Sequence, residues 1–138
     1  MHILFVEDSY DAGLLSSPLK KKGHEVFRAT NVAEAIDALD DEENAHFDAA
    51  IVDLDMNKYY LPPELHNEAE NQYAGWVFYL HYLKTHPVLK NHTLILSALL
   101  FNFPLSDRDV DVKYIDKRDN DYIDQVIDWL NEMNNPKG

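Results

Sequence analysis

Two hydrophobic rhythms alternate along the chain: short continuous apolar runs, and stretches where apolar residues recur every three to four positions. Ile3 to Val6 is the first run, and the acids Glu7 and Asp8 that follow it predict a buried strand ending in a polar loop. Residues 10 to 22 predict a helix stopped by Lys20-Lys21-Lys22-Gly23, with basic residues in the last turn and glycine beyond it. Pro18 is expected to kink or shorten this helix. A second strand spans Glu25 to Thr30, and Asn31, three residues before Glu34, is placed to cap a helix carrying Val32, Ala35, Ile36 and Leu39. Ala49 to Leu54 predicts a third strand, again closed by acids, Asp53 and Asp55.

The rhythm then lapses. Residues 57 to 73 hold Pro62-Pro63, three Tyr, three Glu and three Asn, a loop composition with some aromatic grip. From Gly75 the spacing of Trp76, Tyr79, Leu80 and Leu83 predicts a helix ending near Thr85, before Pro87. Thr93 to Leu96 predicts a fourth strand that delivers Ser97, and Lys113 to Ile115 a short fifth that delivers Lys117. Between them, residues 101 to 111 make a poor helix. Ile123, Val126, Ile127 and Leu130 predict a closing amphipathic helix. Strands alternating with helices imply right-handed crossovers and a doubly wound α/β fold, a five-stranded parallel sheet covered on both faces. No repeat, linker or second domain interrupts residues 1–138, which read as a single domain.

Composition narrows the function classes. The net charge of −13 repels phosphate backbones and argues against nucleic-acid binding, while suiting divalent cations and basic protein partners. There is no cysteine, so disulfides and thiolate metal sites are excluded. No stretch approaches the ~20 apolar residues of a membrane span, and no secretion signal is recognisable at the N-terminus. The expectation is a cytoplasmic protein.

In a parallel sheet of this kind ligands sit at the carboxyl ends of the strands. Glu7, Asp8, Asp53, Ser97 and Lys117 all fall there. Carboxylates gathered in one crevice repel one another unless a hard cation with oxygen ligands joins them, and Mg²⁺ suits so short an acidic inventory. A hydroxyl and an ammonium beside that metal are what a phosphoryl group needs for its remaining oxygens. Taken together, these residues read as phosphoryl transfer to a carboxylate. Singly each has a plainer reading: an acidic pair as a solvated turn, a strand-end Asp as a turn former, Tyr114 as a half-buried strand aromatic. The histidines are scattered without metal-ligand spacing, and Trp76, Tyr79 and Leu83 read as core.

Val6-Glu7-Asp8-Ser9, Ile51-Val52-Asp53-Leu54, Leu96-Ser97-Ala98 and Tyr114-Ile115-Asp116-Lys117 resemble, in order, the signature blocks of two-component response-regulator receiver domains. The resemblance implies a flavodoxin-like sheet in the order 2-1-3-4-5. It implies that Asp53 is the phosphoacceptor, that Asp8 and Asp53 bind Mg²⁺ directly, that Glu7 acts through metal-bound water, and that the Asp55 backbone carbonyl is a further ligand. Ser97 would follow the phosphoryl group, Tyr114 would be the rotating aromatic, and Lys117 would bind phosphate. The implied donor is a histidine kinase or a small phosphodonor. The signal would leave through contacts with a downstream protein, and a homodimer is allowed. Such a domain is a phosphoacceptor rather than an enzyme with turnover.

The chain departs from this pattern in three places. Arg118 stands where the family has proline, the segment 57–73 is a long insertion after strand 3, and the fourth helix is short or degenerate. A loop as long as the insertion is usually functional or disordered. The expectation is that it folds over or beside the Asp53 site, and that a short link could replace residues 58 to 72 without loss of the fold. Two alternatives stand beside the main reading. One is a phosphohydrolase of the haloacid-dehalogenase type using Asp53 and Asp55; the other is a receiver fold kept as an unphosphorylated adaptor.

Overall fold

Five parallel strands form one sheet in the order β2-β1-β3-β4-β5. They are β1 (His2–Val6), β2 (Glu25–Ala29), β3 (Ala49–Val52), β4 (Thr93–Ser97) and β5 (Lys113–Asp116). The computed structural model describes residues 1–43 and 46–134.

Side chains alternate between the two faces of each strand, and this divides the core. Ile3, Phe5, Ala49, Ile51, Leu94 and Leu96 face one side. There they meet Leu15 and Leu19 of α1 (Gly13–Lys21) and Val126, Trp129 and Leu130 of α5 (Tyr122–Asn134). Leu4, Val6, Ala50, Val52 and Ile95 face the other side, against α2 (Val32–Asp40), α3 (Glu68–Asn71) and α4 (Ala74–Phe78). Both faces are thus apolar along the central strands, which explains their continuous hydrophobic runs.

The helix ends follow from local chemistry. Past the end of α1, Gly23 takes φ 91°, the His24 N–H donates to the Leu19 carbonyl at 3.2 Å and the Gly23 N–H to Lys20 at 3.0 Å. This is a Schellman stop. Pro18 does not break α1; the helix runs through it and is instead shortened at its start, where Tyr10–Ala12 forms a 3₁₀ turn. The carbonyl that Pro18 leaves unbonded belongs to exposed Leu14, where water can satisfy it. At α2 the Asn31 side chain accepts from Glu34 N–H at 2.9 Å, as the spacing implies, while the Glu34 carboxylate reaches back to the N–H of Thr30, one residue before the cap.

The insertion is more ordered than its composition suggests. It contains 3₁₀ turns at Lys58–Tyr60 and Pro63–Leu65 as well as α3. Leu61 and Ala69 are buried in the same cluster as Leu54, Met56 and Trp76. After α4 the chain continues in a π-helical turn, Tyr79–Leu83. Between β4 and β5 there is no α-helix, only 3₁₀ turns at Leu100–Asn102 and Leu105–Asp107, so the fourth helix of the expected pattern is missing.

Candidate functional site

The register of the sheet assembles the strand ends. Val6 pairs with Val52, so Glu7 and Asp53 leave adjacent strands side by side, and Asp53 N–H donates to the Val6 carbonyl at 3.1 Å. Ser97 pairs with Asp116, and Lys117 N–H donates to the Ser97 carbonyl at 3.1 Å. Across the crevice Lys117 Nζ lies 2.8 Å from Glu7 Oε2 and 3.2 Å from Asp53 Oδ2. Three residues far apart in sequence thus meet where the apolar runs end.

Burial makes the cluster electrostatically tight. Glu7 is 2% exposed and Asp53 8%. Burial, then the Asp53 carboxylate beside it, push the Glu7 carboxyl up to about 7, against the pull of Lys117. Burial also works against the Lys117 charge, but Asp53 and Glu7 outweigh it and hold the ammonium above its ordinary range. One ammonium therefore faces two carboxyl groups, of which Glu7 is the one inclined to hold its proton.

The remaining expected residues surround this trio. Asp8 is exposed just beyond β1, and Asp55 is exposed with its N–H donating to Asp53 Oδ1 at 3.3 Å. Ser97 is fully buried, its hydroxyl accepting from Leu99 N–H at 3.1 Å. Tyr114 is half-buried and turned to another partner: its hydroxyl accepts from Asp109 N–H at 2.8 Å and donates to the Asp109 carbonyl at 3.1 Å. Arg108 lies over the Tyr114 ring, 5.0 Å from its centre.

Among the described residues no three carboxylate or imidazole groups already enclose a common point. Mg²⁺ needs no such cage, because it keeps several waters and takes one or two carboxylates. An oxygen-only set drawn from the Asp8 and Asp53 carboxylates and the Asp55 carbonyl would suit that ion. So would a surplus of negative charge that Lys117 alone does not neutralise.

Four features lie outside the expected set. Arg28 of β2 donates from Nε to the Glu7 carbonyl at 3.2 Å and from Nη2 to the Ser9 carbonyl, fixing the backbone on both sides of Asp8. Gly75, the second residue of α4, lies directly against the backbone of Asp53. Asp109 gathers Tyr79 Oη and Lys84 Nζ, each at 3.2 Å. Arg118, in the place of the family's proline, pairs with Asp116 at 2.8 Å and stacks 4.7 Å over Phe101, linking the loops after β4 and β5. An Arg one residue after a strand-end Lys was the only sequence signal for this last link.

No family model matches the chain, and no curated protein does. Solved structures do. A sensor protein from Polaromonas sp. JS666 superposes with a TM-score of 0.65 at 19% identity, covering 97% of this chain and 96% of its own. A response regulator receiver domain protein from Clostridium thermocellum gives 0.63 at 23% identity, covering 99% and 96%. The Thermotoga maritima response regulator TrrA, solved in complex with Mg²⁺-BeF, gives 0.58 at 21% identity, covering 96% and 97%. The chain has the fold of receiver domains, and its sheet order is the one the sequence resemblance implies.

Proposed function

We propose that the protein is a phosphorelay receiver that accepts a phosphoryl group on Asp53 in a Mg²⁺-dependent reaction and signals through protein contacts. The observation that carries this reading is the meeting of Glu7, Asp53 and Lys117 at the carboxyl ends of β1, β3 and β5. It is joined to a fold shared with response regulators along nearly the whole chain.

In the proposed reaction an Asp53 carboxylate oxygen attacks phosphorus. A new P–O bond forms, the donor's P–N or P–O bond breaks, and its electron pair leaves with the donor, a histidine imidazole or acetate. Lys117 moves from Asp53 to a phosphoryl oxygen, and the buried Ser97 hydroxyl offers a hydrogen bond to another. Glu7, Asp8, Asp53 and the Asp55 carbonyl would hold Mg²⁺, directly or through water, and that ion would neutralise charge on the transferred group. The donor is taken to be a histidine kinase or a small phosphodonor, and the output partner a protein, since the acidic charge disfavours nucleic acid. No described helix is long and apolar enough to cross a membrane.

Nothing observed favours the dehalogenase-type alternative, because Asp55 is exposed and meets Asp53 only through its backbone N–H. The test is direct: incubate the protein with acetyl phosphate and Mg²⁺ and map added phosphate by mass spectrometry. A single stoichiometric phosphate on Asp53, absent from Asp53→Asn, supports the proposal. Sustained turnover of a phosphate ester would favour the hydrolase, and no label with an intact fold would favour the adaptor.

A further inference from the structure

The two largest departures from the receiver pattern, the insertion and the missing fourth helix, border the same open groove of about 740 Å³. One wall is the end of the insertion, with Glu70 and Tyr73; the other is the β4–β5 link, with Asn102 and Asp107. The floor is aromatic. Trp76 and Phe103 lie edge to face at 4.9 Å, and Tyr73 meets Phe103 in the same manner at 6.4 Å. Trp76 and Phe103 are buried by this packing, whereas Tyr73 stays half-buried and open to a ligand.

The groove's own lining is acidic, with two cations at its border: Arg108 lies 5.8 Å over the Phe103 ring and Lys58 reaches Glu70. The lining itself has two carboxylates and no Lys, Arg or His. Asp107 has no ion-pair partner among the described residues. Glu70 reaches the half-buried Lys58 at 3.5 Å, and because the Glu70 end of the pair is exposed an incoming guanidinium can compete for it.

We propose that this groove docks an extended, arginine-bearing segment of a partner protein. Arginine matches the lining in both respects, because its planar guanidinium pairs with carboxylates and stacks on an aromatic face. The groove's amide side chains, including Asn102, are suited to the backbone of an extended segment. A net charge of −13 adds steering toward basic partners. The proposal does not depend on phosphorylation of Asp53.

The test uses the full, unphosphorylated chain with ¹⁵N labelling and a capped probe peptide, Ser-Gly-Pro-Arg-Pro-Gly-Ser, with counterparts carrying Glu or Leu in place of Arg. The Arg peptide is expected to shift the amides of Asn71, Gln72, Tyr73 and Asn102 in a saturable way, and the Glu peptide to leave them in place. Substituting Glu70→Gln with Asp107→Asn should weaken binding about five-fold or more, since both carboxylates face the ligand. A charge-matched control, Asp124→Asn with Glu132→Gln on α5, should not. Both pairs are exposed, so the variants should fold as the parent does. Shifts spread over the whole acidic surface, or equal weakening in the control, would show general electrostatic attraction and overturn the proposal. Concentration-dependent shifts of the same amides without peptide would assign the groove to a second copy of the chain, and overturn it too.

Discussion

Gly75 packs so closely on Asp53 that a β-carbon at Gly75 would stand 1.9 Å from the Asp53 carbonyl oxygen and 2.9 Å from Leu54 Cα. Its own N–H donates to the Leu54 carbonyl at 3.1 Å. The start of α4 is therefore seated on the backbone that carries the candidate phosphoacceptor, and only a residue without a side chain permits this.

Gly75→Ala must push α4 away from β3. Backbone atoms, unlike a flexible side-chain tip, give way only by moving whole elements, so the expected cost is about 1–3 kcal/mol or more. Urea unfolding would measure it. Gly13, where an added β-carbon meets nothing within 4 Å, is the control, and Gly13→Ala should not destabilise the protein. Equal stability of Gly75→Ala and wild type would mean that α4 does not sit as described.

This contact shows where sequence reading stops. The strand runs Ile3 to Val6 and Thr93 to Leu96 are legible because burial on both faces demands continuous apolar residues, and the same rule locates Glu7, Asp53, Ser97 and Lys117 at strand ends. The Asn31–Glu34 cap and the Gly23 stop are local, and so are readable as well. Gly75 reads only as a helix start, because its reason lies in another strand. Arg28 sits in an ordinary strand pattern, and nothing nearby announces that its guanidinium will clamp the Asp8 loop. The order inside residues 57–73 was hidden by proline-rich composition; it comes from Leu61 and Ala69 reaching a core built by distant elements.

Arg28 gives the second prediction. By holding the Glu7 and Ser9 carbonyls it limits the positions open to Asp8. Arg28→Met keeps an apolar stem and removes the clamp. Its expected effect is several-fold weaker Mg²⁺ binding, about 1 kcal/mol for the lost ordering of a ligand loop, with faster amide exchange at Asp8 and Ser9. Unchanged exchange at those amides would rule out a positioning role for Arg28.

Asp109 supplies a pH dependence. The Asp111 N–H, with help from Lys84 and Tyr79, holds its carboxyl below the usual carboxylate range despite partial burial. A folded-state value below the unfolded one adds stability above the unfolded value of about 3.8, and that stability is lost as pH falls through the folded value. Asp109→Asn should therefore be less stable than wild type near neutral pH by about 1 kcal/mol, a figure kept small because Lys84 is in solvent. The gap should close below about pH 4 as the wild-type carboxyl takes up its proton. A gap that stays constant between about pH 7 and pH 3 would exclude the carboxylate as its source.

The insertion supplies the last. No hydrogen bond or ion pair among the described residues links residues 57–73 to Glu7, Asp8, Asp53 or Lys117, while Leu61, only 2% exposed, shares the cluster of Leu54, Met56, Trp76 and Val77. The segment is held in place by its own bonds as well: His66 Nε2 meets the Leu61 carbonyl at 2.8 Å, and the Tyr59 ring lies edge-on to His66 at 5.5 Å. It lies beside α4 as part of the core, and this revises the expectation that a short link could replace residues 58 to 72 freely. Leu61→Ala should cost about 2–5 kcal/mol, the usual range for emptying a buried leucine site. Tyr59→Ala, at a residue 71% exposed, should cost far less, about 0.5 kcal/mol. Excision to a Gly-Ser link removes both Leu61 and Ala69 from that cluster and should destabilise more than Leu61→Ala alone. Denaturant midpoints of the three variants decide the matter. Full stability in the excised protein would make the insertion a surface excursion, and only then would a change in acetyl phosphate labelling report gating rather than a loosened core.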